Sequence, residues 1–300
     1  MTGASAISPA QRADLIYRAA RFELDGRLWR AALGSSTDSP RPAEPATGGL
    51  LRLDTLVEAL SAEDRLSPAL TPGPVQFPDV TDTGTGPLRL GPNQPLAPAL
   101  QAAAERTGLD PAMLASIIDA EAARRPDGSW NAASRNPRSS ATGLGQFLDG
   151  TWLSEARRRG SWLHNTAQAR GWLASDGSVR PDARAALLEL RSDPSASIEA
   201  IADHAAANLR FLRARGIAPG SLAETARAAY LAHHLGLGDA MRFLGTGLGE
   251  ERAGRLLAAQ VGGAAAGRHI AAAGSAVEAH RAWLSHYVDR RIQPQQFLTA

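Results

Sequence analysis

Residues 110–121 read DPAMLASIIDAE, and the register of this segment decides the fold. Asp110 is a natural N-cap and Pro111 is pre-set for a first helical turn, so a helix is predicted over residues 111–123. Leu114, Ile117, Ile118 and Glu121 then fall at i, i+3, i+4 and i+7, on one face, while Asp119 points elsewhere. A carboxylate therefore continues an apolar stripe. Burying an unpaired carboxylate costs free energy unless it takes up a proton. A carboxyl kept protonated near neutral pH is what a general acid requires. A side chain in the last turn can equally escape to solvent, and on periodicity alone the two readings stand level.

Working outward, the pattern is helical from about residue 96 to about residue 292. Helices are predicted at 97–107, 146–160, 181–190, 197–215, 222–235, 238–244, 250–261 and 275–291, with glycine-rich interruptions at 245–249 and 262–267. Composition agrees: Ala fills 60 of 300 positions and aromatics only 5%, which favours helix over sheet. Toward the N-terminus, Ser8-Pro9 opens a further amphipathic helix ending near Gly34, and a short helix is expected at 51–60. Between them, 34–49 is a polar Pro/Gly linker. Repeated prolines make 67–94 a second linker, an extended tether or a surface-wrapping strap. The expected organisation is an N-terminal helical extension (1–66), this linker, a mainly α domain (95–291) and a tail (292–300).

Several chemistries are excluded. The chain has no Cys, so no disulfide framework and no thiolate-ligated metal. All 32 basic residues are Arg, which removes a Schiff-base lysine and a Walker-type phosphate loop. The seven histidines form no HExxH, and the adjacent pair His233 and His234 reads as structural, so no metal and no cofactor is expected. A net charge of +2 gives no indication of nucleic acid. No apolar run reaches the length of a membrane span, and the first twenty residues lack the pattern of a secretory signal, so synthesis as a soluble cytoplasmic protein is expected.

Three further blocks follow Glu121 in order: Trp130 with Ala132 and Ser134; the turn Ala141-Thr142-Gly143-Leu144-Gly145-Gln146; and AAYLAHHLG, containing Tyr230. With residues 190–212 between the last two, they resemble the catalytic core of lytic transglycosylases of the soluble, goose-lysozyme-like type, closest to bacteriophage or prophage members. The resemblance covers roughly residues 95–290. It differs in Ala122, where the family has Ser after its Glu, and in the RRPDGS stretch at 124–129, which lengthens the path to Trp130.

The resemblance implies a lysozyme-like helical domain that cleaves the N-acetylmuramic acid–N-acetylglucosamine bond of peptidoglycan, leaving a 1,6-anhydro end. It makes Glu121 the acid and base and sets the Tyr230 hydroxyl against its carboxyl. Gln146, Gly143, Leu144, Trp130 and Ser134 become substrate-binding residues, with the glycines letting backbone approach the glycan. A local backbone bond is the alternative role for Gln146, and core packing the alternative for Tyr230 and the tryptophans. The partner would be peptidoglycan, reached in the cell wall or periplasm without a signal peptide, in a virion or through another route. Residues 1–66 would suit attachment to a phage-tail-like, secretion or flagellar assembly. Two other functions stay open: a hydrolytic muramidase using Asp127 or Asp149 as second carboxylate, and a non-catalytic structural or wall-binding component.

Overall fold

The structure, a computed structural model, describes residues 87–136 and 139–299. The helices and linkers expected before residue 87 lie outside the described residues. Helices, short 3-10 turns and isolated β-bridges make up the described chain, with no extended strand among the described residues. The chain is mainly α, as its composition predicts.

Two compact units share these residues: 87–247 with 284–299, and Leu248–Trp283. The first holds α1 (Ala97–Thr107), α2 (Pro111–Glu121), α3 (Asp149–Arg157), α4 (Trp162–Ala169), α5 (Arg184–Glu189), α6 (Pro194–Ala214), α7 (Leu222–Leu235) and α8 (Leu237–Leu244). The second holds α9 (Glu250–Val261), α10 (Gly263–Ala273) and the start of α11 (Ala276–Arg291), whose residues from Leu284 onward count with the first.

α2 is the spine of the larger unit. Asp110 caps it, accepting from the Ala112 and Met113 N–H groups at 2.7 and 3.3 Å, and Pro111 occupies the first helical position. Its burial is not the single stripe the spacing suggests. Residues 112 to 118 and Ala120 are all buried, because α1, α6, α7 and the closing 3-10 turn Pro294–Phe297 pack around the helix. Each of Leu114, Ile117 and Ile118 contributes about 1.5–3 kcal/mol by this burial. The helix stops at Glu121 because Ala122 turns extended, with ψ 133°, while its N–H still donates to Ile118 O at 2.7 Å.

The other long helices begin by the same capping chemistry. Asp193 accepts from Ala196 N at 2.7 Å ahead of Pro194, and Ser221 accepts from Glu224 N at 3.2 Å. Arg106 of α1 clasps Glu199 and Asp203 of α6, at 2.5 and 2.7 Å.

Three local expectations differ, and the two segments flanking the domain pack against it, the first in the strap form expected as one alternative. The helix expected from Gln146 begins at Asp149, because Gln146 takes a left-handed backbone, φ 48°. The glycine-rich stretch 262–267 breaks helix only at Gly262, φ 83°; α10 starts at the next residue, where the run Ala264 to Ala266 offsets its glycines. α4 has no counterpart in the predicted elements. Residues 87–94 take the strap form: Leu88 pairs with Leu298, Leu90 is buried, and Asn93 Oδ1 accepts from Trp130 N at 2.7 Å. The expected tail packs too, with Ile292 and Pro294 buried.

In the smaller unit Leu257, Ala266 and Ala279 form a core flanked by Val261, Ile270 and Trp283. Glu250 Oε2 joins its first and last helices by accepting from Ala276 N at 2.8 Å. No helix among the described residues is long and apolar enough to cross a membrane.

Candidate active site

Glu121 ends the most buried helix of the larger unit, yet its side chain keeps 15% exposure. α7 crosses α2 and presents Tyr230, His233 and His234, three and four residues apart and hence on one face. His234 Nδ1 stands 3.9 Å from Glu121 Oε1 and 3.4 Å from the Tyr230 hydroxyl. The His234 ring stacks on Tyr230, with centroids 5.4 Å apart, and lies near-parallel to Tyr287 of α11 at 6.4 Å. Tyr230 itself is 1% exposed. The structure thus brings Glu121 and Tyr230 together about a histidine that the sequence reading treats as structural.

The turn 141–147 forms the other wall. Gly143 N donates to Ser134 O at 3.0 Å, and Thr142 N donates to Phe147 O at 3.2 Å. Gly143 has φ 82°, and a Cβ there would lie 1.9 Å from Arg191 O and 2.8 Å from Ser197 Oγ. The close approach that requires glycine is therefore to the start of α6. Gly143 and Leu144 are buried in the protein's own packing, where a glycan contact was expected. Trp130 is likewise buried, its indole N–H donating to Asp119 Oδ1 at 2.9 Å. Trp152 is also in the core, donating to Leu187 O at 2.8 Å.

Gln146 Nε2 donates to Gly143 O at 2.7 Å and to Ser134 Oγ at 3.0 Å. These bonds satisfy the local-backbone alternative for Gln146 and stabilise its left-handed conformation, a strain of about 1–2 kcal/mol. Both use the nitrogen, so Oε1, which accepts no bond among the described residues, is the atom left for a ligand donor.

Two residues that the sequence reading did not assign to the site lock this turn. Arg191, 5% exposed at its side chain, donates from Nη1 to Ser140 O (2.7 Å) and Phe147 O (3.0 Å) and pairs with Asp149 at 2.7 Å. His233 Nε2 lies 2.9 Å from Gly145 O. A carbonyl only accepts, so Nε2 carries the proton. The ring packs edge-on against Phe147 and His204, and this burial, only partly offset by Glu121, pushes its pKa down to about 4. At neutral pH it is an uncharged donor. Behind it, His204 Nδ1 meets Glu155 Oε1 at 3.0 Å, and Arg158 pairs with the same carboxylate at 2.5 Å. Burial works against the Glu155 anion, but His204 and Arg158 outweigh it and hold its pKa below the usual range. The sequence signal for Arg191 is only its place in the 190–212 block, and Glu155 and His204 lie 49 residues apart.

The other carboxylates are engaged elsewhere. Asp127 is held low by Ser129, whose hydroxyl and N–H donate to it at 2.7 and 2.9 Å in an exposed turn. Asp149 faces Arg191 and Arg184, and Asp119 faces Arg124 and the Trp130 indole. Among the described residues no group of three or more His, Asp and Glu could hold a metal ion. One carboxyl, two tyrosines, two histidines and an amide oxygen can together move a proton and bind a neutral hydroxylated ligand. No protein-family model matches this chain, and no curated protein matches it either.

Proposed function

We propose that this chain is a peptidoglycan lytic transglycosylase with a lysozyme-like helical domain, Glu121 being its acid and base. The observation that carries the reading is the placement of Glu121: a partly exposed carboxyl at the end of a buried helix, 3.9 Å from His234, while Asp119, Asp127 and Asp149 face other partners. Hydrolysis by the usual route needs a second carboxylate to act as nucleophile or to activate water. An internal nucleophile needs none. Glu121 protonates the oxygen joining N-acetylmuramic acid to N-acetylglucosamine, and the C1–O bond breaks. The muramic C6 hydroxyl bonds to C1, and the Glu121 carboxylate takes the hydroxyl proton. The products are a 1,6-anhydro-muramic end and a free N-acetylglucosamine hydroxyl, with Glu121 protonated again.

Holding the C6 oxygen beside C1 replaces an encounter with solvent, and acid–base catalysis typically adds ~10²–10⁴-fold. Gln146 Oε1 suits a sugar hydroxyl or amide donor. Because the substrate is the cell wall, the enzyme acts outside the cytoplasmic membrane, with residues 1–66 serving a carrier assembly.

The test is incubation of the purified chain, and of Glu121→Gln, with isolated peptidoglycan, followed by mass spectrometry of the soluble products. The expected result is 1,6-anhydro-muropeptides from the wild type and at least ~10²-fold fewer from the variant. Reducing ends would replace this reading with a muramidase. Wall binding without release would replace it with a structural component.

A further inference from the structure

We propose that His234 is a positioning residue for the reaction: it shares one titrating proton with Glu121, and this pair, rather than Glu121 alone, sets the pH range in which the acid is loaded. The inference rests on Glu121 being the acid and base proposed above. The geometry carries it. His234 Nδ1 is the ring atom turned to both Glu121 Oε1, at 3.9 Å, and the Tyr230 hydroxyl, at 3.4 Å. The ring stacks on Tyr230 at 17° and lies near-parallel to Tyr287 at 24°, the three rings forming one cluster in which the two tyrosines are themselves 6.4 Å apart. Both side chains of the pair are mostly covered, 21% and 15% exposed, so their charges are poorly screened from each other.

Other ionisable groups around α7 are occupied with other partners. His233, on the same helix, is neutral and bonded to Gly145 O. His204 of α6 faces His233 and Glu155. On α8, Asp239 pairs with Arg242; on α11, Asp289 pairs with Arg227 and Arg291 reaches Asp119 O. The 3-10 turn Pro294–Phe297 brings no charged side chain. Glu121 and His234 face each other at 3.9 Å, and their charges also reach the neutral His233 ring.

A carboxyl and an imidazole this close hold one proton in two arrangements, carboxyl with neutral ring or carboxylate with imidazolium. A glycan covering the pair removes remaining water, which penalises the two-charge arrangement and moves the proton to Glu121. The acid is thereby loaded as substrate binds. After Glu121 has donated and regained its proton, the pair is back in its starting state.

Two measurements test this. In histidine-labelled protein followed by NMR, the His234 signal is the one missing from His234→Phe, which keeps an aromatic ring beside the two tyrosines. Its titration midpoint should fall by roughly one pH unit in Glu121→Gln. An unchanged midpoint overturns the proposal whether or not the protein cleaves peptidoglycan, whereas a shifted midpoint without cleavage removes the transglycosylase reading and leaves the pair standing. In the cleavage assay, His234→Phe should move the alkaline limb of the rate profile down by a similar amount, because the last proton is then held by the carboxyl alone. A lower rate at every pH with the limb in place would mean the ring only packs, and would also overturn it.

Discussion

Two connections follow Glu121 before the next helix, and they are built in opposite ways. The first, 124–129, is mostly exposed and closed on itself: Arg125 N bonds Ser129 O at 2.8 Å, and Ser129 bonds Asp127. The second, 141–147, is almost wholly buried and anchored from three distant places, Ser134, Arg191 and His233. The stretch that departs from the resembling family is the one that costs the fold little to hold. The second stretch is held by Arg191, just before α6, and by α7, the helix that also carries His234. A turn anchored to the helix that bears His234 and Tyr230 fixes the distance between the two walls of the site. The first turn is tied to itself and, through Arg124, to Asp119 of the neighbouring α2.

The sharpest way to break that contrast is Gly143→Ala. The new methyl would meet the Arg191 carbonyl at 1.9 Å, and backbone cannot step aside as a side chain can. Overpacking of about 1–3 kcal/mol adds to about 1–2 kcal/mol for forcing a left-handed alanine, so a loss of roughly 2–5 kcal/mol is expected. Urea unfolding should show it as a lower midpoint, with peptidoglycan cleavage falling along with it. Wild-type stability would mean that the turn is not clamped to α6.

A smaller effect distinguishes the two turns by pH. His233 titrates at about 4 in the folded protein and near 6.5 when unfolded. Between those values the unfolded chain binds a proton that the folded one refuses. Its contribution to stability is therefore complete above about pH 6.5 and is lost as pH falls toward 4, by at most about 3 kcal/mol. His233→Gln keeps an N–H donor without the titration. The stability gap between wild type and this variant should shrink by about 1–3 kcal/mol from pH 7 to pH 4. A gap that stays constant would sever His233 from the anchoring of the turn. Asp127 is held below its ordinary value by Ser129, so any slope from the exposed loop lies at the acid end of that window or below it.

What could be read from the sequence divides along the same line. The boundaries of α1, α7 and α9 were legible because capping residues and apolar spacing are local properties. α4 was not: its eight residues bury only Leu163 and Ala167, a single i, i+4 pair too short to mark a stripe. α10 was hidden by its glycines, and only Ala266 of its residues is buried. Glu121, Gln146 and Tyr230 could be singled out because each sits in a short motif. Arg191 and the Glu155–His204 pair act across gaps of 44 and 49 residues, which no spacing rule links. His234 looked structural because adjacency to His233 says nothing about where either ring points. Only the approach of α7 to α2 sets one ring at Glu121 and the other at Gly145.

The smallest expected effect is in the exposed connection. Gly128 also has a left-handed backbone, φ 85°, but a Cβ there would meet only Pro92 Cγ, at an ordinary 3.7 Å. Gly128→Ala should therefore cost about 1 kcal/mol, the conformational penalty alone, since no backbone stands in the way. Measured beside Gly143→Ala under the same urea conditions, it isolates the clamp: two glycines of the same handedness, differing in what lies beyond the missing methyl. Equal losses would assign the whole effect to backbone conformation and dissolve the contrast. If Gly128→Ala keeps its stability but cleaves peptidoglycan more slowly, the exposed connection touches the glycan, and the departure at 124–129 is a difference in substrate contact rather than in folding.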